Sequence, residues 1–163
     1  MSDEITNQYL TFRLGDEDFA FPVAQVREIL DLVPIVRVPQ LPNFVRGVIN
    51  LRGKVLPVID LSLKFGLAAA EEGRDTCIIV LEIADGGERI EIGALVDAVL
   101  EVIVLTTDDI EPPPRFGSKL GNGLMTGMGK TAKGFVILLH VDHIFASTES
   151  QLLHHLPEAA TAA

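Results

Sequence analysis

The chain of 163 residues carries 13 Lys and Arg against 23 Asp and Glu, a formal net charge of -10, and is 48% hydrophobic with a single cysteine. That negative balance argues against a nucleic-acid binder, whose affinity comes from cations replacing counterions on phosphates, and one thiol cannot build an internal disulfide, which suits a reducing cytoplasm. The acidic start Met1-Ser2-Asp3-Glu4 lacks the basic flank of a signal peptide and no apolar run approaches the span of a bilayer, so a cytoplasmic protein without membrane insertion is expected, long enough to bury a sizeable core.

Strand periodicity dominates the first half. Tyr9 to Leu14 alternates, Gly15 to Asp18 turns, and Phe19 to Val23 returns, which predicts a hairpin. Ala24 to Leu30 places Val26, Ile29 and Leu30 at spacings of three and four and reads as a short helical turn. Val33 to Val38 is extended despite Pro34, and Pro39 and Pro42 mark a loop. Val45 to Leu61 is two β-type runs joined through an Asn50-Leu51-Arg52-Gly53 corner that holds an arginine out on a rigid hairpin. Gly53 suits a turn with φ above zero, and Pro57 fits only an edge or a bulge. Arg13, Arg27, Arg37, Arg46, Arg52 and Lys54 concentrate basic charge in this third, and a solvated strand edge explains most of them. Leu61 to Gly66 is a helical turn capped by glycine.

From Gly66 to Asp75 the composition shifts to Ala, Glu and Gly, the signature of an exposed connection. A second set of strands follows: Thr76 to Ile83, a Gly86-Gly87 turn, and Glu91 to Val104. Cys77 opens an apolar run and is expected to be a buried, unreactive thiol. Asp108 to Lys133, with three successive prolines and repeated glycines, reads as long and irregular, and Phe135 to Val141 closes the sheet. Asp142 is expected to cap a short helix to Phe145, with a terminal helix from Ser150 to Leu156. Two strand clusters separated by one linker suggest two small barrels packed together.

Catalytic motifs are weak. Gly129-Lys130-Thr131 has the end of a phosphate loop, but the first glycine such a loop needs is replaced by Leu124, and a strand follows where a helix should. A nucleotide-dependent enzyme using the Gly121 to Lys130 loop is therefore the remote alternative. His140, Asp142 and His143 lack a third spaced ligand group, so no metal is expected. His154-His155 lies in a tail of Glu, Ala and Thr, and no nucleophile stands with a recognisable base and carboxylate.

The run from Val38 to Gly53, continuing to Phe65-Gly66-Leu67, resembles the CheW family of chemotaxis adaptors, as do Leu95 to Val99, Asp109 to Pro112 and Thr126 to Gly129. The resemblance implies a mainly β fold of two five-stranded Src-homology-3-like barrels sharing a hydrophobic core, with a few short helices. It implies one CheW-like domain over residues 8–147, with residues 1–7 and 148–163 as tails. It further implies a non-catalytic adaptor without cofactors, monomeric in isolation and part of receptor–kinase arrays. Its partners would be methyl-accepting chemoreceptors and the regulatory domain of the histidine kinase CheA. Receptor-binding residues carried over from the family are Val26, Glu28, Gly47, Asn50 and Arg52. Among these, composition alone reads Val26 and Glu28 as one core and one solvated position, Gly47 as backbone geometry, and Arg52 as a turn charge or an intramolecular salt bridge. An adaptor of a related pathway, serving pili or a second messenger, satisfies the same residues.

Overall fold

The structure is a computed structural model and describes residues 7–85, 87–113 and 124–145. Among the described residues, eleven strands form two sheets. One runs β8 (Ala98–Leu105), β1 (Asn7–Leu14), β2 (Glu17–Pro22), β11 (Gly134–Leu139), β10 (Met125–Thr131), β9 (Ile110–Glu111). The other runs β3 (Val26–Asp31), β6 (Cys77–Asp85), β7 (Glu88–Val96), β5 (Lys54–Asp60), β4 (Val45–Leu51). The two-residue β9 gives the first barrel a sixth strand. Both ends of the described chain meet in that barrel, through a parallel pairing of β2 with β11.

Three apolar clusters explain the arrangement. Tyr9, Leu105, Val136 and Leu138 fill the six-stranded barrel, and Ile49, Leu56, Val58, Ile78, Val80 and Leu95 fill the five-stranded one. Between them lies the largest cluster, where Phe12 packs against Phe21 with ring centroids 4.5 Å apart and planes tilted by 32°, and meets Ile79, Leu81 and Ile92 from the other sheet. Thus Ile78-Ile79-Val80-Leu81 is fully buried on both faces of its strand, which accounts for an unbroken apolar run in place of alternation.

Several expectations are corrected. The segment read as a helical turn from Ala24 to Leu30 is a single 3-10 turn, Val23–Gln25, followed by strand β3. A bulge between Val26 and Glu28 shifts the register and puts apolar positions at helix-like spacings. Glu91 to Val104 is two strands in different sheets, broken at Asp97, whose carboxylate accepts from Gly15 N at 2.7 Å and whose N–H donates to Arg13 O at 3.0 Å. Residues 125–131 are strand, not irregular loop. Gly127 and Gly129 belong there because a Cβ would lie 2.6 Å from Glu111 O or from Leu105 Cδ1. The helix over residues 141–145 is capped by His140, whose Nδ1 accepts from His143 N at 3.3 Å. Asp142 instead accepts from Gln25 Nε2 at 2.9 Å and from Ala84 N at 3.1 Å. Cys77 is half-buried, and burial pushes its thiol above the ordinary range. Arg46 is not a solvated edge charge but pairs with the buried Asp60. The expected helix at 150–156 and the tail histidines lie outside the described residues.

Other expectations hold. Asp60 caps the helical turn α1 (Leu61–Lys64) by accepting from Leu63 N, and the turn closes through Gly66 N to Leu63 O and Leu67 N to Ser62 O, a Schellman motif. The edge or bulge expected at Pro57 is corrected: β5 lies between β7 and β4, and the β4–β5 bulge falls between Val45 and Gly47. Pro57 is tolerated because it sits opposite Val48, whose own N–H and C=O face Val36, with the ladder to β7 starting only at Val58.

Phe12 is fully buried in the shared cluster. Phe12→Ala is expected to cost about 3–5 kcal/mol, read as a lower urea midpoint in a single transition for both barrels.

Candidate functional site

The two edges of the five-stranded sheet, β3 and β4, face each other where the sheet curls into a barrel. Unpaired edges invite wrong partners, and this seam is closed locally. At one end the Leu51–Lys54 pair of the β4–β5 hairpin is joined by Arg52 and Gly53, with φ of 51° and 86°, the positive pair that a two-residue type I′ turn requires. The Asn50 side chain accepts from Gly53 N at 2.8 Å and fixes the corner. Arg52 is one of two non-glycine residues with positive φ among those described.

From that corner the Arg52 guanidinium reaches across the seam to Glu28 of β3. Both nitrogens donate, Nη1 to Oε2 at 3.4 Å and Nη2 to Oε1 in a short contact, so the pair is bidentate. The Arg52 side chain remains 71% exposed and that of Glu28 30%. The hydrogen bond from Arg52 holds the Glu28 carboxyl below its ordinary value, and the same bond raises Arg52. Along the seam Val36 and Val48 exchange backbone hydrogen bonds of 2.8 and 2.9 Å. Gly47 makes this approach possible: a Cβ there would lie 2.1 Å from Val36 O, and its φ is 145°.

The structure therefore brings Glu28, Asn50 and Arg52 together at the seam and gives Gly47 a place beside Val36. Val26 stands apart. It pairs with Leu81 and packs against the core between the barrels, whereas Glu28, across the bulge, pairs with Val80. Next to Val26, Arg27 lies 4.0 Å from Glu82 and 3.9 Å from Glu91, two glutamates directly opposite in the β6–β7 register.

Exposed apolar residues escaped the sequence reading. Ile29 is 46% exposed, Val102 53% and Val104 57%. Ile29 pairs with Ile79 and Val102 with Leu10, both in the shared cluster, so these side chains extend that layer to its open margin. Val104 lines a depression with Pro22, Val23 and Ala24, just before Val26. For Val102 and Val104, the run Val102 to Leu105 on β8, without polar alternation, is the signal that could have marked them.

Among the described residues no group of three or more His, Cys, Asp or Glu is placed to hold a metal ion, and no helix is long and apolar enough to cross a membrane. Gly129-Lys130-Thr131 lies on β10 and turns back into β11, without the helix N-terminus that a phosphate loop uses.

Gly47→Ala is expected to destabilise by about 2 kcal/mol or more, from a strained φ and the clash with Val36, measured by urea unfolding. The Glu28 titration gives the sign of the ion pair. A carboxyl lowered in the folded state contributes fully above its unfolded value, 4.5, and that contribution is lost as pH falls through the lower folded value. In Arg52→Ala the Glu28 titration followed by carboxyl NMR should move back up.

A profile of the CheW-like domain matches residues 8–149. The chemotaxis protein CheW of Klebsiella aerogenes is 31% identical over 157 residues, 96% of this chain and 92% of its own length. That of Helicobacter pylori is 39% identical over 137 residues, 84% of this chain and 80% of its own. The crystal structure of the scaffolding protein TtCheW from Thermoanaerobacter tengcongensis superposes with a TM-score of 0.76 at 34% identity, covering 86% of this chain and 93% of that one. With these likenesses spanning both barrels, the chain belongs to the family of CheW-like domains.

Proposed function

We propose that this protein is a cytoplasmic, non-catalytic adaptor that couples methyl-accepting chemoreceptors to the histidine kinase CheA. Family membership supports an adaptor role in chemotaxis; the receptor and kinase are this reading's own step. The observation that carries it is the Arg52 corner. A long cationic side chain is held in a left-handed turn and reaches an acidic residue on the facing strand, while most of its surface stays open to solvent. Stability alone does not call for such a residue at such a φ, and strained backbone of this kind is favoured where geometry serves recognition.

The receptor hairpin would lie against the margin of the inter-barrel layer. Val26, Ile29, Val102 and Val104 supply apolar contact, Glu28 and Arg52 supply directional polar contacts, and Asn50 and Gly47 hold the corner and the seam in shape. An amphipathic helix fits this division between apolar floor and charged rim. The adaptor does no chemistry. It transmits a receptor state only through contacts that differ between two states. The kinase regulatory domain would bind elsewhere, at the barrel ends.

Binding energy at such sites concentrates in few residues, so Arg52→Ala and Val26→Asp are each expected to weaken binding of a soluble receptor signalling fragment at least about tenfold. The melting temperature of Arg52→Ala should change little, because exposed ion pairs add little to folding. Unchanged affinity in an intact fold removes Arg52 from the site. Size-exclusion chromatography with the kinase regulatory domain at tens of micromolar, about the order for transient interfaces, is expected to show a complex, and its absence refutes the kinase half of the reading.

A further inference from the structure

Asp60 at the end of β5 has a fully buried side chain, and that of Arg46, on β4 beside Gly47, is 19% exposed. The Asp60 carboxylate accepts from Arg46 Nε at 3.1 Å and from Ala70 N at 3.1 Å through Oδ2, and from Leu63 N at 3.3 Å through Oδ1. Arg46 Nη2 in turn donates to Ala70 O at 2.6 Å. Both backbone groups of Ala70 are thus held by one ion pair.

That carboxylate ties the two ends of a single excursion of the chain. The chain leaves β5 at Asp60, forms α1, and returns at Ala70, which is buried in the cluster filling the five-stranded barrel. Between the anchors, Leu61 enters the core shared by the barrels, and Phe65 packs on Phe19 of β2 with ring centroids 5.7 Å apart. β2 belongs to the other barrel. Slippage of the return by one residue would leave a buried carboxylate and guanidinium short of partners, a costly state.

We propose that Arg46, Asp60 and Ala70 form a knot that makes α1 a mechanical link between the barrels. Displacement of the β4–β5 hairpin, which carries Arg52 at its tip and Arg46 and Asp60 at its base, passes through Phe65 to Phe19. A clamp that only held the connection over residues 61–76 would have no effect on β2. A link is reciprocal, because coupling between two sites acts equally in both directions. The proposal concerns the free protein and stands separately from the receptor reading.

The test is native-state amide exchange followed by NMR on the full chain and three variants. Arg46→Met removes the guanidinium, Phe65→Leu removes the aromatic contact without touching the knot, and Leu10→Val is a control in the same shared core. Arg46→Met is expected to speed exchange about tenfold at Leu63 and Ala70 and also at Ala20 on β2, as local opening in one linked unit does. Phe65→Leu is expected to speed exchange at Ala70, and Leu10→Val to leave Ala70 unchanged. Changes confined to residues 60–76 in Arg46→Met overturn the link, as does a Ala70 rate in Phe65→Leu equal to that of the control. If Arg46→Met does not fold, the Phe65→Leu arm alone decides, since it leaves every atom of the knot in place.

Discussion

The apolar layer between the barrels is the constraint on which the rest of the molecule depends. Among the described residues, eighteen buried ones form it, against seven inside the five-stranded barrel and five inside the six-stranded one. Clusters of five or seven side chains are too small to hold a barrel folded alone. Each sheet must therefore be apolar on both faces, one for its own interior and one for its neighbour, and β6 shows this with four consecutive fully buried residues. Chain order follows the same demand: the β1–β2 and β10–β11 hairpins pair in one barrel through β2 and β11, and the middle segments build the other.

Closing the five-stranded barrel poses a separate problem, because β3 and β4 end as edges with backbone groups to satisfy. The seam meets it with a Val36–Val48 backbone bridge, a glycine that lets the two segments touch, and an ion pair at the hairpin corner. The first two are buried or backbone devices and serve the fold. The third is exposed and sits on a residue with φ of 51°, so its local cost is not offset by much stability. What it fixes is direction: a planar guanidinium held bidentate by Glu28 cannot swing freely, and its remaining donors point to a defined place.

Legibility in the sequence followed what each signal encodes. The hairpins β1–β2 and β4–β5 were readable because turn residues bracket β-branched runs. β3 was not, because a bulge after Val26 gives a strand the spacing of a helix. The sheet change at Asp97 was invisible because β7 and β8 are both apolar in sequence, although β8 leaves much of its run exposed, and only a distant turn, Gly15, binds the carboxylate that marks the break. β10 was hidden by its glycines, which looked like loop and are instead the space claimed by Glu111 and Leu105. At the site, the Asn50 to Gly53 corner was plain from local chemistry. Glu28 beside Arg52 came from the family resemblance, since the two are brought together only by sheet order. The buried Arg46–Asp60 pair stayed out of sight for the same reason: an alternating arginine on a strand looks solvated until its partner is known.

An adaptor that joins assemblies reversibly faces opposing demands on its surface. A large exposed apolar patch would bind tightly but would also drive association with itself. Here exposed apolar residues such as Ile29, Val102 and Val104 at the open margin lie beside charged β3 residues such as Arg27 and Glu28. A net charge of -10 further opposes self-association. The Arg52–Glu28 pair adds selectivity at small energetic cost, because its members are already partly solvated and can exchange one hydrogen bond for another without stranding a buried charge. Such a surface favours partners whose apolar face is narrow and whose charges match the rim, and it keeps affinity modest enough for the contact to be broken and made again.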